Sequence, residues 1–517
     1  MVVPEPRVWR AAGPHVVRAA RAVQARVVHV TRAVATRSPR LTTRRLIASA
    51  AGFGLVVAAG AAVSAGPWDS SGQRTAEREW AAAQVREGGT DHGRDTGAAS
   101  GAAQGAPAPA PSAPAVLAGL GGTGRAPGEQ ALAKALDPLL DGDALGSDRT
   151  AAVVDVATGR TLYGKGDDAL TPASTTKIAT ATAVLSAAGA DHRIETRTVL
   201  QPGSEEVVLV GGGDPTLTAR KDVEGYASLR DLADETAAAL KERHLDEVAL
   251  TYDTSLYKGP VLHSIGPNTN LAPVTALMVD EARLDDSSSG PADRGTDPAK
   301  DAARRFEELL EDRGITTKSL DPAKAKKGAR TLGSVSSPPL SVLVERMLTN
   351  SDNDIAEALA RQTALASGAP ASFEGAGSAI RAELKRLGFP LKGVRFADGS
   401  GLSRDDRLTA GLLTALLAEA AAPDRPELRP ILTGLPIAGF TGTLRDRYAG
   451  EASGTGLVRA KTGTLTGVNS LAGTVVDADG RLLAFAFLTT GTTDPAAAQE
   501  TLDRAASTLA GCGCRGR

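Results

Sequence analysis

Three short motifs, widely separated along the chain, each place a hydroxyl or amine group where it could take part in nucleophilic chemistry. They are Ser174-Thr175-Thr176-Lys177, Ser351-Asp352-Asn353 and Lys461-Thr462-Gly463. Residues three apart on a helix are surface neighbours, so Ser174 and Lys177 share one face, and a serine hydroxyl needs such a nearby base to become a nucleophile. Taken singly, each motif is more often a polar helix face, a helix N-cap or a turn. Their combination in this order predicts a reactive serine.

The proposed base works only if its proton affinity is reduced. The pKa of a lysine must fall from about 10.4, and desolvation and a second nearby cation are the two effects that lower it. We expect Lys461 to be that second cation for Lys177. A serine at a helix start also brings backbone N–H groups toward the reaction centre, and we assign the amides of Ser174 and Thr464 as donors to an oxyanion.

The three motifs together are a known signature of class A β-lactamases and penicillin-binding proteins. The chain resembles the D-alanyl-D-alanine carboxypeptidase/endopeptidase family, the low-molecular-mass class C penicillin-binding proteins of peptidase family S13. Residues 211–217 (GGGDPTL), 398–403 (DGSGLS) and 435–444 (LPIAGFTGTL) extend this resemblance, which covers roughly residues 130–510. Ser174 and Ser351 lie 351 − 174 = 177 residues apart. Class A β-lactamases keep these motifs closer together, which favours a peptidase.

The resemblance implies a role for each motif residue. Ser174 would form the acyl-enzyme with release of the terminal D-alanine of a peptidoglycan stem peptide, and Lys177 would take the hydroxyl proton. Ser351 would relay that proton to the leaving amine, Asn353 would hold the substrate amide, and Lys461 would position Ser351 and the substrate carboxylate. Water as the second acceptor gives carboxypeptidase or endopeptidase action, whereas an amine gives transpeptidation.

The strand that carries Lys461 is expected to bind the substrate. The hydroxyls of Thr462 and Thr464 would bind its carboxylate, and Gly463 would allow close approach. By resemblance, the donor peptide adds as a strand along this edge, so Leu465 and Thr466 should line the cleft. β-Lactam antibiotics are the expected inhibitors, with no cofactor and no metal. A β-lactamase and a non-catalytic wall-binding scaffold remain as alternatives.

Composition excludes several other classes of function. The 58 Lys and Arg residues nearly balance 60 Asp and Glu residues, so nothing in the overall charge indicates binding to a nucleic acid. The six histidines do not have the spacing of metal ligands. No Ser-His-Asp triad is recognisable in the sequence either. Asp398 is interpreted as a turn-forming residue. The only two cysteines, Cys512 and Cys514, lie in a C-terminal tail at 511–517.

The N-terminal part of the chain indicates export. Residues 1–45 hold ten arginines and one acid, and residues 46–65 hold no charge. Such a segment is long enough to span a bilayer, with the arginines inside and the rest of the chain outside. It is predicted to be a membrane anchor, or a signal segment if cleavage follows Ala65. Residues 66–128, rich in Ala, Gly and Pro, are predicted to be a disordered linker to a peptidase domain at 129–510.

Strand and helix patterns predict the architecture of that domain. Strands are expected at 151–156, 161–163, 457–464, 470–476 and 481–489, and helices at 174–188, 340–348, 354–366, 378–387, 410–421 and 495–509. Strands at both ends of the domain imply one sheet built from its two termini, with a helical subdomain beside it. The predicted class is α/β, with a penicillin-binding/β-lactamase-like transpeptidase fold: an antiparallel sheet flanked by helices. An inserted module is expected at about 190–338.

Overall fold

The computed structural model describes residues 128–221, 223–448 and 453–512. The predicted basic arm, the apolar segment 46–65, residues 66–127 of the predicted linker and Cys514 lie outside these ranges. Among the described residues, no helix combines the length and the apolar character that crossing a membrane requires.

The main sheet joins strands from both ends of the domain, as predicted. It contains β1 (Asp148–Asp155), β2 (Thr161–Lys165), β8 (Val458–Leu465), β9 (Val468–Val476) and β10 (Leu482–Thr490). The strand order is β2-β1-β10-β9-β8, and every neighbouring pair is antiparallel. The antiparallel sheet is therefore confirmed, and β8, which carries the third motif, lies at its edge.

Side-chain size differs between the two faces of this sheet. In β10, Leu483, Phe485 and Phe487 belong to one hydrophobic cluster, whereas Ala484 and Ala486 belong to another. This is the two-residue alternation of a strand that is buried on both faces. Helices α1 (Glu129–Leu140) and α10 (Pro495–Gly511) cover the face with the large side chains, and the small side chains allow the helical subdomain to approach the other face closely.

The helical subdomain lies between β2 and β8 in sequence. Its helices are α2 (Thr176–Ala188), α5 (Leu340–Asn350), α6 (Asn353–Ala366), α7 (Phe373–Arg386), α8 (Ala410–Ala421) and α9 (Arg429–Thr433). Helix α7 begins five residues before the predicted position, because Ser372 caps it by accepting a hydrogen bond from the Gly375 amide at 3.0 Å. The start was not recognised from the sequence because the first turns contain glycines at 375 and 377, and glycine is a poor helix former.

The inserted module has a second, mixed sheet and its own core. Its strands are β3 (Glu195–Leu200), β4 (Glu206–Val210), β5 (Glu247–Asp253), β6 (Thr316–Pro322) and β7 (Arg330–Ser336), in the order β6-β5-β4-β3-β7. Helices α3 (Leu229–Lys241) and α4 (Pro298–Glu311) cover it, with Phe306 fully buried. The sequence patterns at 207–210, 231–243, 248–252 and 299–312 predict β4, α3, β5 and α4. They miss β3, β6 and β7, because the residues of these strands are largely polar and partly exposed.

Candidate active site

The first motif lies on a tight turn that precedes a helix. Ser174 is in the middle of a short 3-10 turn (Ala173–Thr175), and α2 begins at the next residue. Ala173 has a left-handed backbone, with φ of 49°, which is strained for a residue with a side chain. A Cβ atom at Gly401 would lie 1.9 Å from the Ala173 carbonyl oxygen, so only glycine allows this turn to pack where it does. The hydroxyl is therefore placed by a strained, closely packed turn.

Lys177 directs its amine at the Ser174 hydroxyl. Its Nζ lies 3.1 Å from Ser174 Oγ, 2.7 Å from Asn353 Oδ1 and 2.6 Å from the Ser400 carbonyl oxygen. The side chain is fully buried, and this desolvation lowers the pKa of Lys177 to about 8, against the opposing charges of nearby carboxylates such as Asp398. Burial thus brings the amine into the range where it can act as a base near neutral pH.

Burial is the main cause that lowers the pKa of Lys177, ahead of the expected effect of Lys461. The charges that weigh most on Lys177 after burial are acidic ones that raise its pKa. The repulsion between the two amines is most evident at Lys461, where burial first, and then the charge of Lys177, hold the pKa well below its usual value. Two fully buried amines in one site explain this, because each resists the charging of the other.

The second motif lies in the turn between two helices. Helix α5 ends at Asn350, and Ser351 takes a left-handed conformation with φ of 57°. Asp352 then caps α6 by accepting a hydrogen bond from the Ile355 amide at 3.0 Å. Lys461 Nζ lies 2.8 Å from Ser351 Oγ, so the second and third motifs meet through this hydrogen bond.

The third motif, on β8, lies close to the turn that carries Ser174. A Cβ atom at Gly463 would lie 2.1 Å from Ser470 Oγ and 2.7 Å from the Pro172 carbonyl oxygen, so glycine is needed for this approach. Leu465 and Val468 close a two-residue hairpin and are therefore a hydrogen-bonded pair. The alternation of an antiparallel ladder then turns the Thr464 N–H away from β9 and toward the open edge.

A cleft of about 390 Å³ connects the three motifs. Of the predicted site residues, those that line it are Ser174, Ser351, Asn353, Thr462 and Thr464. Lys177 and Lys461 are fully buried and bind residues that line it: Lys177 binds Ser174 and Asn353, and Lys461 binds Ser351.

Leu465 and Thr466 lie outside this cavity. Leu465 is the last residue of β8, and the Thr466 carbonyl accepts a hydrogen bond from Arg404 at 2.8 Å. A peptide extended along β8 would reach them only beyond the cavity, so their contact with substrate stays a prediction.

The loop at 398–403 contacts the Lys177 amine, and the sequence reasoning missed this contact. Asp398 accepts hydrogen bonds from the amides of Ser400, Gly401 and Ser403, in agreement with its interpretation as a turn residue. The buried His263 also contacts it, with Nε2 2.9 Å from Oδ2. This loop supplies the Ser400 carbonyl that binds Lys177. The glycine-rich sequence at 398–403 was the only signal for such a role.

Three buried carboxyl groups lie beside the second motif. Those of Glu281, Asp352 and Asp354 each offer one oxygen within 4.8 Å of the others, a geometry that could hold a cation. The arginines that pair with this cluster are Arg283, Arg294 and Arg346. Because three guanidinium groups already pair with this cluster, it carries no metal assignment.

Comparison with known proteins identifies the family. The family model of the D-Ala-D-Ala carboxypeptidase 3 (S13) family matches residues 132–296 and 290–510. The chain belongs to this family.

Two curated members of similar sequence are named carboxypeptidases. One, from Mycobacterium tuberculosis, is 37% identical over 378 residues, which is 70% of this chain and 80% of that protein. Carboxypeptidase DacB of Mycolicibacterium smegmatis is 37% identical over 409 residues, with 75% and 85% covered. The crystal structure of penicillin binding protein 4 from Haemophilus influenzae shares the fold, with a TM-score of 0.59 and 23% identity over 74% of this chain and 98% of that one. The predicted fold class is thereby confirmed.

Proposed function

We propose that this family member is a serine-type, penicillin-binding D-alanyl-D-alanine carboxypeptidase/endopeptidase that cleaves peptidoglycan stem peptides. One observation carries the proposal: the Lys177 amine, with a pKa lowered to about 8 by burial, lies 3.1 Å from the Ser174 hydroxyl. The family description and the names of the two curated relatives support the peptidase activity. The name of the Haemophilus structure supports binding of penicillin.

In the proposed reaction, Lys177 accepts the Ser174 proton while Oγ attacks the carbonyl carbon of the penultimate D-alanine. The amides of Ser174 and Thr464 stabilise the oxyanion. Ser351, held by Lys461, relays the proton that Lys177 accepted to the leaving amine, and the C–N bond breaks to give the acyl-enzyme and free D-alanine. A water molecule then hydrolyses the ester and restores Ser174. With a cross-linked substrate, the leaving amine belongs to a second stem peptide.

Substrate binding is assigned to β8 and the α5–α6 turn. Asn353 holds the substrate amide, while the hydroxyls of Thr462 and Thr464 and the charge of Lys461 bind the terminal carboxylate. Beyond Ala460, whose amide donates to the Pro436 carbonyl, the outer edge of β8 supports pairing with an extended peptide. In this arrangement, Leu465 and Thr466 contact the substrate beyond the cavity, and Gly463 keeps the strand close to Ser174.

The test is intact-mass analysis of the purified domain after incubation with penicillin, followed by incubation with muropeptides. We expect one penicillin adduct per chain, its loss in Ser174→Ala, and its retention in Ser204→Ala, which removes an exposed turn serine. D-Alanine should be released from a tripeptide that ends in D-alanyl-D-alanine. A stoichiometric adduct on Ser174→Ala would refute the nucleophile. Rapid turnover of a chromogenic cephalosporin would indicate a β-lactamase instead, and binding without D-alanine release would indicate a scaffold.

The family acts outside the cytoplasm, and we propose that residues 46–65 anchor this chain there, with residues 66–128 as the tether. Ten arginines before an uncharged segment support this orientation. Membrane fractionation tests it: the full chain should sediment with membranes, and a chain that lacks residues 1–65 should not. Recovery of the protein in the soluble fraction after expression of the full chain, with its N-terminus at Gly66, would show a cleaved signal segment.

A further inference from the structure

A loop of the inserted module, residues 261–274, contacts the surroundings of the Lys177 amine. The two ends of this loop are joined by a hydrogen bond from the Val274 amide to the Val261 carbonyl at 2.8 Å. Within it, the Asn268 side chain accepts hydrogen bonds from the Asn270 amide at 2.8 Å and from the Leu271 amide at 3.1 Å. The 261–274 loop therefore has a defined shape of its own.

His263 connects the 261–274 loop to the site. It is 6% exposed, and its ring lies edge-on to the ring of Phe373, with 5.2 Å between the two centroids. Its Nδ1 accepts a hydrogen bond from the Ile265 amide at 3.2 Å, so Nε2 carries a ring proton. Nε2 lies 2.9 Å from Asp398 Oδ2. The imidazole therefore donates a hydrogen bond to the Asp398 carboxylate.

Asp398 in turn determines the shape of the 398–403 loop, which binds Lys177. Its Oδ1 accepts the Ser400 amide at 3.0 Å, and its Oδ2 accepts the Ser403 amide at 2.7 Å. These amides belong to the same loop as Asp398, whereas His263 comes from the inserted module. The Ser400 carbonyl accepts a hydrogen bond from Lys177 Nζ at 2.6 Å. A chain of three hydrogen bonds thus joins His263 to the base.

Two helices of the helical subdomain also hold the 398–403 loop. From α6, Glu357 Oε1 accepts the Gly399 amide at 3.0 Å and the Ser400 amide at 2.9 Å. From α2, Thr180 Oγ1 donates to the Gly399 carbonyl at 2.7 Å. Loss of the His263 contact should therefore shift this loop by a fraction of an ångström without releasing it.

The 261–274 loop also orients the other acceptor of the Lys177 amine. Asn353 Nδ2 donates to the Asn270 carbonyl at 2.9 Å, and Asn353 Oδ1 accepts from Lys177 Nζ at 2.7 Å. The amide group can form both bonds only in this orientation, since its nitrogen is a donor and its oxygen an acceptor. Apart from Ser174, both partners of the amine are thus connected to the inserted module.

We propose that His263 is a positioning residue for the reaction: its hydrogen bond to Asp398 fixes the 398–403 loop, so that the Ser400 carbonyl directs the Lys177 amine at Ser174. The inserted module thereby completes the surroundings of the base, although it contributes no group that reacts. This inference rests on the proposed function, because it takes Lys177 to be the base.

The test compares His263→Asn and His263→Gln with the unaltered domain by stopped-flow acylation with a fluorescent penicillin. This assay separates the acylation rate constant from the dissociation constant of the initial complex. Asparagine keeps an acceptor near the place of Nδ1 but cannot reach Asp398. Its acylation rate constant should fall about tenfold, because the two helices limit the shift to less than the displacement of about 1 Å that costs about a hundredfold.

Glutamine should rescue the reaction, because its amide nitrogen can take the place of Nε2. Its acylation rate constant should stay within about threefold of the parent value. In both variants the dissociation constant should stay within about twofold of the parent value, because His263 is not among the residues that line the cleft.

Thr236→Val is the matched control. It removes a buried hydrogen bond between α3 and β3 of the inserted module, from Thr236 to Thr198 with 2.7 Å between the hydroxyl oxygens, without altering the 261–274 loop. It should lower the thermal stability of the domain and leave the acylation rate constant of the folded protein unchanged.

Three results would overturn the inference: a parental acylation rate constant in His263→Asn, an equal loss in His263→Gln, or the same loss in Thr236→Val. If His263→Asn does not fold, as circular dichroism would show, His263→Phe takes its place with the same expectation, because it keeps a ring beside Phe373 and lacks the donor. Failure of the proposed function is distinct, because the Ser174→Ala protein would then still be labelled.

Discussion

Replacing Gly463 by alanine should separate the third motif from the nucleophile. The added Cβ would lie 2.1 Å from Ser470 Oγ, 2.7 Å from the Pro172 carbonyl oxygen and 3.1 Å from Ala173 Cβ. Ser470 cannot simply rotate away, because it is buried and its hydroxyl donates to the Pro172 carbonyl at 2.6 Å. We therefore expect β8 to move away from the turn that carries Ser174.

The size of the effect follows from these distances. Relieving the contact with Ser470 to an ordinary separation requires a displacement of about 1 Å, and a misplacement of about 1 Å in a catalytic site costs on the order of a hundredfold in rate. The same overpacking should reduce the free energy of unfolding by about 1–3 kcal/mol. The loss of acylation should therefore exceed what the loss of folded protein explains.

The assay is the second-order rate constant of acylation by a fluorescent penicillin, with thermal unfolding measured on the same samples. Gly164→Ala is the matched control, because Gly164 lies on β2, at the opposite edge of the sheet, with no atom within 4 Å of an added Cβ. It should change neither quantity. Acylation of Gly463→Ala within threefold of the parent rate would refute the reasoning that close approach of β8 places the reaction centre.

Three further predictions concern buried charges. Acylation by penicillin should rise with pH through about 8, as Lys177 loses its proton, and a flat stopped-flow profile from pH 6 to 8.5 would exclude this lysine as the base. Glu357→Ala should lower the free energy of unfolding in urea by about 3–5 kcal/mol, because it leaves the buried Arg361 guanidinium, 3.0 Å from Glu357 Oε2, without its partner. Burial raises the pKa of Asp155, but Arg481 and the hydrogen bonds from Thr158 together outweigh it, and the pKa is lowered. This carboxylate therefore stabilises the fold above its unfolded pKa of about 3.9 and loses that effect as pH falls through its folded pKa. Asp155→Asn should therefore be less stable than the parent at pH 7 in thermal unfolding, with a gap that narrows below about pH 4; a gap independent of pH would contradict this assignment.

The sequence by itself determined the features that depend on local spacing. Ser174 and Lys177 are three residues apart, so the helical path brings their side chains together wherever α2 lies. The apolar and alternating patterns of β1, β9 and β10 likewise determined that these segments pair, since a strand buried on both faces must lie inside a sheet. The polar strands β3, β6 and β7 carried no such pattern, and their place in the inserted sheet could not be derived from it.

Tertiary structure decided the electrostatics of the site. No local pattern shows that α6 and the 398–403 loop bury the Lys177 amine, or that this burial is the main cause that lowers its pKa. Glu281 is 352 − 281 = 71 residues from Asp352 in sequence, yet one oxygen of its carboxyl group lies within 4.8 Å of one of Asp352, because the inserted module packs against the α5–α6 turn. The pKa of a group depends on the charges near it and on how much water reaches it. Only the folded chain determines both.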